Sequence, residues 1–151
     1  MKSLFSDRTL IAETPQKVGQ KVRLFGWINS VRDHGKLVFV DLRDQSGVVQ
    51  IVGAKEVLGR VKNEFVVCFE GEVKGRPEKL VNPKISTGGV EVAAESLEIL
   101  SSAKELPFDI YGTGRKINED LRLKYRYLDL RRPRLRNNLF LRHQLLQTFR
   151  Q

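Results

Sequence analysis

Lys36-Leu37-Val38-Phe39-Val40-Asp41-Leu42-Arg43-Asp44-Gln45-Ser46-Gly47-Val48-Val49-Gln50-Ile51-Val52-Gly53 contains two alternating segments separated by one turn. In the first, Val38, Val40 and Leu42 share a face, and Leu37, Phe39, Asp41 and Arg43 share the other. In the second, Val49 and Ile51 oppose Val48, Gln50 and Val52. Asp44-Gln45-Ser46-Gly47 supplies the turn between them, because short polar side chains bond their own backbone and glycine bends freely. The stretch is an antiparallel hairpin with one apolar and one polar face.

The same period recurs on either side. In Gln20–Asn29, Val22, Leu24 and Ile28 line one face with Gly26, and Arg23, Phe25 and Trp27 the other. Asp33-His34-Gly35 provides a turn between this strand and the hairpin. After the hairpin, Ala54 to Asn63 reads as a short helix. Phe65 to Arg76 and Gly89 to Leu100 read as strands, separated by the proline- and glycine-punctuated loop Pro77 to Gly88. Three strands, a helix and two strands in that order predict an all-β, five-stranded OB-fold, a Greek-key barrel whose second and third strands commonly bind oligonucleotides.

On such a barrel the outward face of the second and third strands is the place to look for function. Phe39 stands opposite the core residues Val38 and Val40. It fits either a base-stacking platform or a satellite apolar contact beneath a loop or the N-terminal segment. Gln50 stands opposite Val49 and Ile51, with an amide that can both donate and accept. Arg32, expected in the preceding turn, offers a planar cation that can stack or pair. Taken singly, Arg32 and Gln50 fit a solvated surface role as well.

Charge divides the chain. Residues 121–151 carry nine Lys and Arg side chains against Asp129 alone, whereas residues 1–120 hold 18 basic and 17 acidic residues. The strongly basic balance of the whole is therefore a property of the tail, which fits a solvated basic helix or a nucleic-acid contact. The near-neutral remainder disfavours bulk phosphate binding. The apolar content, 40% of residues, suffices for one core and not for two. Cys68, the single cysteine, lies in the apolar run Phe65–Phe69 and is expected to be a buried, inert thiol.

Other chemistries are disfavoured. His34 and His143 lack partners at zinc-ligand spacing. Asp33, Asp41 and Asp44 are explained by turns and strand edges. Gly112-Thr113-Gly114 lacks the lysine of a phosphate loop. No nucleophile, base and orienting group can be assembled. No apolar run is long enough to span a membrane, and the N-terminus lacks a signal-peptide core, so a cytoplasmic location is expected.

Gly26-Trp27-Ile28-Asn29, Arg32-Asp33-His34-Gly35, Phe39-Val40-Asp41-Leu42-Arg43-Asp44 and Gly47-Val48-Val49-Gln50 together resemble the anticodon-binding barrel of bacterial-type aspartyl-tRNA synthetases. Arg76-Pro77-Glu78, Asn82-Pro83, Thr87-Gly88 and Val90-Glu91-Val92 are similar to its later strands. Leu106-Pro107-Phe108 and Leu121-Arg122-Leu123-Lys124-Tyr125-Arg126-Tyr127-Leu128-Asp129-Leu130-Arg131-Arg132-Pro133 resemble the family's hinge and the approach to its class II catalytic domain. The lysyl and asparaginyl synthetases carry the same barrel, and the lysyl branch shares Leu128-Asp129-Leu130. Arg131-Arg132-Pro133 and the Arg32–Gly35 turn favour the aspartyl branch.

The resemblance implies an OB-fold anticodon-binding domain over 1–102, a hinge or linker over 103–132, and over 133–151 the truncated first helix of a catalytic domain. It implies that Phe39 stacks on an anticodon base, most simply the central uridine. Gln50 and Arg32 would bond base edges, and Glu91 would contact the first base. Lys74, Arg76 and Asn82 would lie along the same groove. The implied partner is tRNA-Asp, joined by tRNA-Asn if the relaxed bacterial type applies. His34 resembles that type, and Lys79 the strict one. The resemblance also implies a homodimer for the parent ligase. ATP and magnesium are implied only for the catalytic part outside this sequence, so this chain is expected to hold no cofactor or metal and to be inactive alone.

Three alternatives stay open: a free-standing tRNA- or single-stranded-RNA-binding accessory protein without catalytic activity, a non-specific single-strand binder, which the barrel's near-neutral charge disfavours, and an interaction module built on the tail. Leu135, Leu139 and Leu146 recur at helical spacing beside Leu141, Leu145 and Phe149. That wide apolar surface is expected to be covered by a partner.

Overall fold

In a computed structural model, residues 7–150 are described. The chain divides into two units, Met1–Lys104 and Glu105–Gln151.

The first unit is a closed barrel. Its strands are β1 (Arg8–Thr9), β2 (Lys21–Asp33), β3 (Leu37–Arg43), β4 (Val48–Ala54), β5 (Val66–Gly75) and β6 (Val90–Ser101). They run in the order β1-β2-β3-β4-β6-β5, and β2 also pairs with β5. The five strands β2 to β6 therefore close on themselves, as expected for an OB-fold. β4 and β6 run parallel, the other barrel pairs antiparallel, and β1 adds a short parallel edge at Arg23 and Leu24 of β2.

Closure is possible because β2 changes partner midway. Lys21 to Trp27 pair with β5, and Trp27 to Asp33 pair with β3. Gly26 sits at this crossover, where a Cβ would overlap the Arg43 carbonyl oxygen, so only glycine lets the two strands pass. Leu24, Ile28, Val38, Val40, Leu42, Val49, Ile51, Val67, Phe69 and Val92 fill the interior. Each contributes roughly 1.5–3 kcal/mol by leaving water.

Several local expectations are revised. β2 does not stop at Asn29 but continues to Asp33, so Arg32 belongs to the strand and not to the turn. Phe25, expected on the outer face, is buried there: it lines a shallow apolar recess with Arg8, Trp27, Gln45, Val66 and Leu100. Arg23 lies over its ring at 5.3 Å. The helix expected from Ala54 to Asn63 shrinks to one turn, α1 (Lys55–Leu58), because the chain must reverse at once to bring β5 back along β2. Glu64, at φ 68°, makes that reversal. Its carboxylate accepts two bonds of 2.9 Å from Arg43, and its N–H donates to the Ile28 carbonyl at 2.8 Å. Cys68 is buried as expected, and burial pushes its thiol up.

The second unit has a core of its own, contrary to the expectation of a single core. Phe108, Ile110 and Leu128 are buried, with Leu106, Tyr111, Ile117, Leu121 and Tyr125 against them. Three helices follow: α2 (Glu119–Lys124), α3 (Arg126–Asp129) and α4 (Pro133–Arg150). Asn118 caps α2, its Oδ1 accepting from the Leu121 N–H at 3.3 Å. Proline opens α4, where its missing N–H is harmless. No described side chain of α4 is buried, and Leu139, Phe140, Leu141, Leu145, Leu146 and Phe149 are exposed. No helix among the described residues is long and apolar enough to cross a membrane.

The basic tail is not simply a solvated face. Asp129 and Arg132 are wholly buried. Asp129 accepts from Arg122 at 3.0 Å, Arg126 at 2.9 Å and Arg132 at 2.8 Å. Arg132 also donates to the main-chain carbonyls of Asp109 and Tyr111 and lies over the Phe108 ring at 5.5 Å. Gly114, at φ +70°, leaves room for that guanidinium, which a Cβ would meet at 2.7 Å.

The hydrogen bond from Arg122, then that from Arg132, holds the Asp129 carboxyl below the usual carboxylate range. Its stabilisation is complete above the pKa of an unfolded aspartate, about 3.9, and is lost as pH falls from there through the folded value. Asp129→Asn leaves Arg132 buried without its counter-charge, a change that costs about 3–5 kcal/mol and exceeds what so small a unit can absorb. The three tyrosines lie in this unit and the one tryptophan, Trp27, in the barrel. The expected outcome at neutral pH is loss of the tyrosine near-UV dichroism with Trp27 emission unchanged.

Candidate nucleic-acid interface

A bulge decides which side chains face outward. Between Ile28 and Ser30 the β2–β3 register shifts by one residue, with Asn29 unpaired. Strict alternation from Val22 through Ile28 would point Ser30 and Arg32 inward. The extra residue reverses the parity, so Val31 packs against the core and Ser30 and Arg32 turn outward. Arg32 then pairs opposite Phe39, and Ser30 opposite Asp41.

From there one row runs across the barrel. Asp41 pairs with Gln50, Gln50 with Glu91, and Glu91 with Lys74. Directly paired residues on one face have Cβ atoms about 4.5–5.5 Å apart, so these side chains are neighbours in space. Phe39 stands next to the row, half-buried, with the His34 ring edge-on at 5.2 Å. Of the seven residues singled out from sequence, Arg32, Phe39, Gln50, Glu91 and Lys74 thus lie on one continuous outer surface.

The remaining two are placed by the loop between β5 and β6. Arg76 is mostly shielded, and its Nε donates to Glu91 Oε2 at 3.1 Å. Asn82 shapes the loop itself. Its Oδ1 accepts from the Lys84 N–H at 3.1 Å, and its own N–H donates to the Gly88 carbonyl at 3.1 Å. Thr87 ties the loop to the barrel by donating its hydroxyl to the Val48 carbonyl. Both residues therefore have internal tasks beside the row.

Two side chains of the row, Ser30 and Asp41, are not among the seven site residues expected from sequence. Ser30 Oγ donates to Asp41 Oδ2 at 2.6 Å, and Arg32 Nη2 donates to Asp41 Oδ1 at 2.9 Å. The same Nη2 reaches Gln50 Oε1 at 3.3 Å. Alternation already placed Asp41 beside Phe39, but its partners depend on the bulge. At the β2–β3 turn, Gly35 takes φ +82° and its N–H donates to Asp33 Oδ1 at 2.8 Å. Lys55 bonds the other Asp33 oxygen at 2.7 Å and, as the leading cause, holds that carboxyl below its ordinary range.

Chemically, the surface combines an aromatic ring, an amide, a carboxylate and an exposed guanidinium. Most charges on it are already paired, which suits flat, unpaired bases better than a phosphate backbone. Among the described residues there is no group of three or more His, Cys, Asp or Glu side chains placed to hold a metal ion.

A sequence profile for an OB-fold nucleic acid binding domain of the tRNA anticodon type matches residues 22–100, from β2 to β6. The chain is 44% identical over 142 residues to an aspartate–tRNA(Asp/Asn) ligase of Dictyoglomus turgidum, covering 89% of this chain and 24% of that protein. It is 48% identical over 140 residues to an aspartate–tRNA ligase of Listeria monocytogenes, covering 88% and 24%. It thus spans about a quarter of the length of these curated relatives. Among solved structures, the asparaginyl-tRNA synthetase of Pyrococcus horikoshii, complexed with asparaginyl-adenylate, superposes with a TM-score of 0.65 at 32% identity, over 88% of this chain and 30% of that one. With the barrel closed by β2 and β5 and the profile running its whole length, the chain belongs to the OB-fold nucleic acid binding domains of the tRNA anticodon type.

Proposed function

We propose that the chain is the anticodon-reading part of an aspartate–tRNA ligase. The observation that carries this reading is the unbroken outer row Asp41–Gln50–Glu91–Lys74, flanked by Arg32 and Phe39, on a closed barrel whose relatives are named as such ligases. Phe39 stacks on the central uridine, and Gln50 and Arg32 bond base edges. Glu91, steadied by Arg76, contacts the first base, while Lys74 lies along the groove and Asn82 shapes its rim. tRNA-Asp is the ligand assigned to it, joined by tRNA-Asn if the chain follows the relative named for tRNA(Asp/Asn).

The ATP- and magnesium-dependent attachment of aspartate is assigned to the remainder of the longer ligase. The exposed apolar side chains of α4 are assigned to the contact between its two subunits, and the assembly to the cytoplasm. Within it the barrel holds the anticodon loop, so that binding energy from remote bases positions the far end of the tRNA for reaction.

The experiment that tests this is titration of the chain with a tRNA-Asp anticodon stem-loop and with a copy whose central uridine is cytidine, at two salt concentrations. The expected result is a preference of about tenfold, or ~1.4 kcal/mol, that persists at the higher salt. Equal and steeply salt-dependent binding would mean that basic side chains merely touch phosphate.

Two variants sharpen the assignment. Phe39→Ala weakens stem-loop binding by about 1–3 kcal/mol, with the barrel still folded by Trp27 emission. Arg76→Ala reduces preference for the first base through Glu91 but leaves the salt slope unchanged. A phosphate contact at Arg76 would instead lower that slope by about one.

A further inference from the structure

We infer that Asp41 is a positioning residue that fixes the polarity of Gln50, so that the row reads an acceptor edge of a pyrimidine. The inference rests on the anticodon reading above and deepens it. Asp41 lies beneath the surface, its side chain 21% exposed against 49% for Arg32. Its two oxygens are both engaged, one by the Ser30 hydroxyl at 2.6 Å and the other by Arg32 Nη2 at 2.9 Å. The carboxylate therefore stops the guanidinium from swinging freely over the face.

A guanidinium has donors and no acceptor. Held where it is, Arg32 meets Gln50 at 3.3 Å and selects the amide oxygen as its partner. The Gln50 amide nitrogen is then the group left for the ligand, and it can only donate. A base presenting a carbonyl oxygen at that point is accepted. A base presenting an amino group there would oppose donor to donor and lose a hydrogen bond on desolvation. Uridine and cytidine differ in this way at ring position 4. Asp41 thus touches no base and sets specificity through Arg32 and Gln50.

The same geometry makes a prediction of opposite sign for general affinity. Asp41→Asn removes the charge that restrains Arg32, freeing a cation to meet phosphate and allowing the Gln50 amide to rotate. The test is the uridine and cytidine stem-loop pair, titrated at two salt concentrations with the full chain, its Asp41→Asn variant and its Ser30→Ala variant. Trp27 emission checks folding.

The expected result is that Asp41→Asn lowers the uridine-over-cytidine ratio about tenfold. It does so without weakening cytidine stem-loop binding, and the salt dependence steepens. Ser30→Ala, which loosens Asp41 without touching Arg32, lowers the ratio by a smaller factor. It carries the test if Asp41→Asn fails to fold. An unchanged ratio in a folded variant, or equal weakening of both stem-loops, overturns the inference while the anticodon reading stands. Absence of any preference in the unaltered chain overturns that reading itself.

Discussion

The barrel depends on one strand with two partners. β2 pairs with β5 through Trp27 and with β3 from Trp27 onward, so a single continuous segment closes the sheet. Closure removes the free edges that a small sheet would otherwise offer to other chains. It also places two local requirements at the crossover: a glycine at 26, where β2 passes the Arg43 carbonyl, and an extra residue at 29, where the register shifts. The outer polar row inherits its geometry from the second of these. Without the bulge, Ser30 and Arg32 would face the core, and Asp41 would have no partners on β2.

Charge is handled differently in the two units. On the barrel's outer row the charges are arranged as neighbours, Arg32 with Asp41 and Arg76 with Glu91, leaving a surface that is polar and only locally positive. Such a surface discriminates through hydrogen-bond direction and stacking, which salt screens weakly. In the second unit three arginines converge on Asp129, and one of them, Arg132, is enclosed. Part of the excess that makes the whole chain basic is therefore a structural device. A pI near 9.9 says less about phosphate binding here than it would for a chain whose arginines all faced water.

The alternation in residues 36–53 was sufficient to place Phe39 and Gln50 outward and Val38, Val40, Leu42, Val49 and Ile51 inward, as the structure has them. Side-chain direction in a strand is a property of the local backbone, so it can be read without knowing the fold. Phe25 shows where that reading fails. It points outward by parity, yet the recess it shares with Val66 and Leu100 buries it, and those neighbours are distant in sequence. The one-turn α1 was also overestimated, because its length answers to the return of β5 and not to helical propensity.

By itself, then, the sequence determined the five barrel strands save the far end of β2, their order, the turn chemistry at Asp33–Gly35 and Asp44–Gly47, and membership of the anticodon-binding OB-fold family. All of these rest on short-range periodicity or on residue identity in order. Only the tertiary structure decided the parity change at Asn29, the shared bonding of Ser30, Arg32, Asp41 and Gln50, the pairing of Arg76 with Glu91, and the enclosure of Arg132 against Asp129. Most of these depend on which strand or loop lies alongside. Even the Arg132–Asp129 pair, only three residues apart, is enclosed by carbonyls more than twenty residues upstream. Partners of that kind leave no periodic trace along the chain.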